Sequence, residues 1–315
     1  MNPQWRRKTT LNKKSKLAAA PYLLWMIVFI VVPLLLIAVF AFTTTATCDA
    51  DGNILSEEEL AEYLAECEEN EVEPQLTEKN VFTFQNILDV SKYSTVLVNS
   101  AWLALIATAI CLVIAYPLAY MISRMFYTRQ KLALMLVMLP MWMNFLLRTY
   151  AWMTLLERNG LINKFFGLFG IGPFNMINTQ GAVVLGMIYN YLPFMILPLY
   201  SVMTKIDDRT IEAAQDLGAN GWQVISRVVM PLSMPGVASG ITMVFVPSVS
   251  TFIISRMLGG GTNMLIGDLI DLQFLGNAYN PNLGAAISLV LMVFIFLCMS
   301  ITNQLDNEDM EGVLL

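Results

Sequence analysis

Residues 94–122 read "STVLVNSAWLALIATAICLVIAYPLAYMI", and no side chain among them is charged. A helix that uniform has no face to give to water. It suits a bilayer, whose hydrocarbon core is crossed by about 20 apolar residues. Five more runs obey the same rule, at about 20–43, 132–153, 179–203, 233–256 and 283–303. The chain is 57% hydrophobic and only 13% charged over 315 residues, which a soluble protein of that length rarely is. A soluble protein with a large apolar core would not need six separate runs. The expectation is an all-α membrane protein with six transmembrane helices. Pro33, Pro117, Pro140, Pro193, Pro198 and Pro247 lie inside the runs, where a membrane bundle tolerates them as kinks.

Charge sets the orientation, because cytoplasmic links carry an excess of Lys and Arg. Three basic segments fall on one side of a six-span chain: the arm "WRRKTTLNKKSK", the link "SRMFYTRQK" with Arg124, Arg129 and Lys131, and the link holding Lys205, Arg209 and Arg227. Both termini are therefore expected in the cytoplasm, with a basic arm at 1–19, a six-span domain at 20–303 and an acidic tail at 304–315. The first apolar run is longer than a signal-peptide core and is read as an uncleaved span.

Several chemistries are excluded. The chain has no histidine, so histidine-based metal sites and catalytic triads are absent. Its four cysteines form no C-x-x-C, so neither a zinc ribbon nor a thioredoxin-type site is indicated. There is no G-x-x-x-x-G-K-[ST] and hence no P-loop. Nothing suggests a bound cofactor, a metal or a nucleic-acid partner.

The segment at about 44–93 is expected outside the cell. Its centre, "SEEELAEYLAECEEN", reads as a short helix capped by Ser56 with Glu59 at N3. It is either a solvated insertion, a funnel that concentrates cations, or a docking surface. Cys48 and Cys67 share this oxidising side and are candidates for a disulfide. Cys111 and Cys298 read as buried small hydrophobes.

On the opposite side, 204–232 interrupts the apolar pattern. Asp207 or Asp208 caps a helix that stops at Gly218, a suitable left-handed residue. Asn220 caps a second helix, with Gln223 returning the bond. Ile211, Ala214 and Leu217 are spaced to share one face of the first helix. From the physics alone this is either a compact knob for another protein or an interfacial helix lying on the membrane.

The stretch "EAAQDLGA" resembles the EAA loop of inner-membrane permease subunits of binding-protein-dependent ABC importers. That pattern is E-A-A, three residues, G, nine residues, I-x-L-P. Glu212, Ala213, Ala214, Gly218 and Pro231 match it, and Val228 and Met230 replace two apolar positions conservatively. "LPMWMNFLLRTYAWMTLL" (139–156), "YLPFMILPLYSVMTKID" (191–207) and "GGGTNMLIGDLIDLQFL" (259–275) resemble the B-type spermidine/putrescine permease branch. The resemblance covers about 15–303. An acidic insert at about 47–79 and an acidic tail depart from it.

The resemblance implies a type I ABC importer permease architecture. It implies a second, related permease subunit, a cytoplasmic ABC ATPase dimer carrying ATP and Mg, and an extracellular solute-binding protein. Glu212, Ala213, Ala214, Asp216, Gly218 and Pro231 would form the ATPase-coupling loop. A polyamine cation would need carboxylates or aromatic faces along its path. Candidates are Trp102, Tyr150, Trp152, Tyr189, Asp268 and Asp271, each competing with an ordinary packing, interfacial or solvated role. Arg148 is read as structural, paired with Glu157 or snorkelling, and Arg256 likewise. The alternatives are an ABC importer for another small solute, with Arg148 and Arg256 favouring an anion if they line the path, or a self-contained secondary transporter. The second would need intramembrane acids for ion coupling, and the runs contain almost none.

Overall fold

A computed structural model of the chain describes residues 21–22, 24–48, 77–261, 263–276 and 279–313. The Ser56–Glu59 cap and the Cys48–Cys67 pairing lie outside the described residues. The described chain falls into two compact units. One takes the residues up to Val90 together with Asn280–Val290; the other takes Ser91–Tyr279 with the chain from Leu291 onward.

In the first unit, α1 (Leu24–Ala41) is an apolar span whose side chains are almost all exposed, as a lipid-facing helix requires. The outer segment is not wholly helical. Strands β1 (Thr43–Cys48) and β2 (Thr77–Phe82) pair antiparallel, Thr43 opposite Phe82 and Cys48 opposite Thr77. Four β-branched threonines favour the strand, and the pairing brings the two ends of the acidic insert together. Helix α2 (Gln85–Val90) follows. Its buried Asn86 donates to Ala41 O (3.3 Å) and Thr43 O (2.8 Å), fixing the α1–β1 corner.

The second unit holds α3 (Ser94–Ser123), α4 (Tyr127–Met138), α5 (Phe145–Leu156), α6 (Leu161–Gly167), α7 (Gln180–Met203), α8 (Asp208–Asp216), α9 (Gly221–Val249), α10 (Ile253–Gly259) and α11 (Ile266–Leu275). Helix α12 (Pro281–Val313) begins in the first unit and continues here. The core is a three-helix contact between α3, α7 and α9. Leu103, Ala107, Cys111, Ala115 and Ala119 recur every fourth residue along α3, and Val183, Met187, Tyr191, Met195, Leu199 and Met203 do so along α7. Small residues let these backbones approach, which is how helices pack where lipid removes the hydrophobic incentive. A Cβ on Gly240 of α9 would lie 2.6 Å from Met195 Sδ. Tyr116 and Ser233 hydroxyls share a hydrogen bond of 2.9 Å between α3 and α9.

Two spans depart from the expected boundaries. The third, expected as one helix over 132–153, is a bent pair: Tyr127–Trp142 and Phe145–Gly167 meet at 89°. Pro140 lies in a 3₁₀ turn over Leu139–Trp142, and Asn144 Oδ1 accepts from Leu146 N (2.8 Å), starting a new helix. Among the described residues, five helices are thus long and apolar enough to span, or six with the bent pair counted as one. The fifth span begins earlier than 233 and breaks at 250–252. A π-turn over Ile225–Val229 precedes Pro231 by the same spacing at which the π-turn over Ile27–Val31 precedes Pro33. Proline lacks an N–H and crowds the carbonyl four residues back, so a widened turn there keeps the helix continuous.

Candidate functional site

The polar interruption after α7 is a capped double helix. Asp207 Oδ1 accepts from Arg209 N (3.0 Å) and opens α8. The helix ends in a Schellman turn: Gly218 N donates to Gln215 O (2.8 Å) and Ala219 N to Ala214 O (3.0 Å). Gly218 sits at φ +87°, a conformation that a Cβ disfavours. Asn220 then opens α9 with a reciprocal box, Gln223 N to Asn220 Oδ1 and Asn220 N to Gln223 Oε1, both 2.9 Å. The backbone of this turn is specified locally, residue by residue.

Its faces are distinct. Ile211 and Val224 are buried and Ala214 is half-buried, while Glu212, Ala213, Asp216 and Gly218 are exposed. Leu217 does not join the buried face with Ile211 and Ala214. It is the C-cap residue, where the helix unwinds, and its side chain is 90% exposed. Trp222 is 76% exposed. Helical spacing puts Leu217 on the inward face and gives Trp222 no role, so that spacing marks neither as a surface contact. The available signal was Val224, which fixes the inward face of early α9 and leaves Trp222 on the other side. Asp216 ends α8, the end at which the helix dipole disfavours an acid, so its own helix does not explain it. Pro231 is exposed just beyond the π-turn.

The other proposed residues are scattered. Trp152 and Tyr189 meet edge to face, their centroids 5.3 Å apart. Trp102 and Tyr150 are exposed and enter no ring pair among the described residues. Asp268 and Asp271 share α11, which lies outside the candidate spans, and differ sharply. Asp271 is ion-paired with Arg256, whose side chain remains half exposed. Asp268 is buried. Its Oδ2 accepts from Leu265 N (2.9 Å), and its Oδ1 is enclosed without a partner. Ser255 lies beside it but donates to Phe252 O (2.9 Å). Burial raises the Asp268 carboxyl above its ordinary range, against the opposing pulls of the Ser255 hydroxyl, Leu265 N–H and Arg256. Both acids line a cavity of about 450 Å³ with Arg256, Met264 and Leu275.

Arg148 is buried in α5 with Nε and Nη1 unpartnered, its guanidinium 5.8 Å from the Phe145 ring centroid. Among the described residues it forms no ion pair with Glu157. Cys111 is buried as expected, and Cys298 is half-buried beside an apolar cavity.

The chain matches the model of binding-protein-dependent transport system inner membrane components over residues 116–307. It is 36% identical over 305 residues to the spermidine/putrescine transport system permease protein PotB of Haemophilus influenzae, covering 95% of this chain and 98% of that one. To PotB of Escherichia coli it is 38% identical over 241 residues, covering 74% and 87%. A bacterial ABC transporter involved in import of the acidic polysaccharide alginate has a similar fold, with TM-score 0.70 at 16% identity over 94% and 96% of the two chains.

Proposed function

The chain belongs to the inner membrane components of binding-protein-dependent transport systems, and from that premise we propose that it is the permease subunit of an ATP-driven polyamine importer. Its relatives named for spermidine and putrescine transport, spanning nearly its whole length, support this substrate class. The observation that carries the coupling role is the α8–α9 turn, whose two helices are capped by Asp207 and Asn220 and which leaves Glu212, Leu217 and Trp222 each exposed. An exposed aromatic side chain and an exposed leucine are the kind of anchor that a partner's cleft buries.

In this reading the knob faces the cytoplasm, as do both termini. It docks into an ABC ATPase dimer that holds ATP and Mg, while this chain binds neither and hydrolyses nothing itself. A second, related permease chain completes the path, and an external solute-binding protein delivers the solute. Closure of the ATPase dimer shifts the spans between two states, as linkage requires of a ligand-biased equilibrium. The cation meets aromatic faces such as the Trp152–Tyr189 pair. Asp268 is better placed than Asp271 to receive it, because Asp271 is already neutralised by Arg256.

The test is uptake of radiolabelled spermidine and putrescine by cells with and without this chain. Energy-dependent uptake that disappears with the chain is expected. Unchanged uptake after its deletion overturns the substrate assignment.

A further inference from the structure

Arg124 is the C-cap residue of α3, and its side chain reaches across to the junction between α7 and α8. Its Nη1 donates to Ile206 O (3.2 Å) and is ion-paired with Asp208, the first residue of α8. Its Nη2 donates to Met203 O (3.4 Å), at the end of α7. The Tyr120 ring, one turn back on α3, lies 5.7 Å from the guanidinium carbon. One planar fork thus touches three elements, a geometry that Arg provides and Lys does not. Beside it, Gln130 of α4 donates to Ser123 O (2.9 Å) at the end of α3 and accepts from Tyr200 OH (3.3 Å) of α7, closing a second link among the three helices. Ser123, Gln130, Thr204, Lys205 and Asp207 line the cavity of about 620 Å³ around this junction.

Asp208 is 76% exposed, so the ion pair adds little stability by itself. The two carbonyl contacts are of another kind. Met203 O lies at the C-terminal end of α7, where carbonyls are left over and a cation is favoured, and Ile206 O lies in the link that leads to α8. Arg124 is therefore held by α7 while it grips α8. Any displacement of α8 acts through Asp208 and Arg124 on the ends of α3 and α7, two of the three helices of the core.

We propose that Arg124 is a positioning residue that couples α8 to α3 and α7, so that movement of the knob is converted into movement of the spans. The proposal rests on the reading of α8 as the ATPase-docking element, and the two fail differently. In the assembled importer, Arg124→Ala retains the ATPase on co-purification and retains ATP hydrolysis. Solute imported per ATP hydrolysed falls roughly fivefold or more, the scale of a broken coupling. Arg124→Lys gives an intermediate loss, since a single ammonium cannot serve both carbonyls and Asp208. If Arg124→Ala does not reach the membrane, Asp208→Asn carries the test, because it alters only an exposed carboxylate and should lower the same ratio. An unchanged ratio in the variant that assembles overturns the proposal. Loss of the ATPase from the Arg124 variant overturns it as well, by placing Arg124 in the docking surface. Failure of Glu212→Lys to weaken ATPase retention strikes the docking reading instead.

Discussion

The α8–α9 turn and the α10–α11 segment both interrupt apolar helices, and they treat polar groups in opposite ways. In the first, the acids are exposed, and capping and turn bonds satisfy the helix ends. In the second, Asp268 is buried with one oxygen unpartnered, and its carboxyl is raised by that burial. A surface whose shape is fixed by its own backbone is suited to docking. A buried acid costs stability and persists where a charge or a proton is used. That difference is what the proposed division rests on, with coupling at the α8–α9 turn and the solute met at α11.

The largest effect comes from breaking the shape of the turn. Gly218→Val places a β-branched residue at a left-handed φ, which costs about 1–2 kcal/mol and is relieved by unwinding the turn. Uptake and ATPase co-purification are expected to disappear while the spans still insert, as membrane fractionation would report. Normal coupling in this variant would mean that the turn's geometry is not what the partner reads. Trp222→Ala leaves the fold intact and removes an anchor. ATPase retention should weaken by about 2 kcal/mol, or roughly thirtyfold, as for a buried aromatic contact.

The smallest effect sharpens the other region. Because the folded-state pKa of Asp268 is raised, the unfolded chain ionises first. The stability difference is absent below the ordinary carboxylate value of about 4, grows as pH rises through the raised value, and stays constant above it. Asp268→Asn removes this dependence and keeps an acceptor for Leu265 N. Melting of purified protein should show the variant gaining on the native chain from acid to neutral pH. Parallel pH profiles would show that Asp268 is not held in a costly state.

The spans and the turn were legible in the sequence because both depend on local rules. Apolar length fixes a span, and Asp207, Gly218, Asn220 and Gln223 are residue types with few other uses at that spacing. The 89° bend near Asn144 was not legible as a bend, since Pro140 signals a kink without its size. The β1–β2 ribbon was missed because its strands are far apart in sequence, on either side of an acidic insert. Arg124 counted only toward topology. Its partners, Met203 O, Ile206 O and Asp208, are brought to it by helix packing, which no local pattern encodes. Arg256 and Asp271 met for the same reason.

The most direct measurement places a photo-crosslinking residue at position 222 on the turn, or at position 275 on α11, where Leu275 is 83% exposed, in the assembled importer. The ATPase should be captured from 222 and not from 275. Capture from 275, or none from 222 while the complex still transports, would contradict the assignment of the α8–α9 turn as the site through which ATP drives this permease.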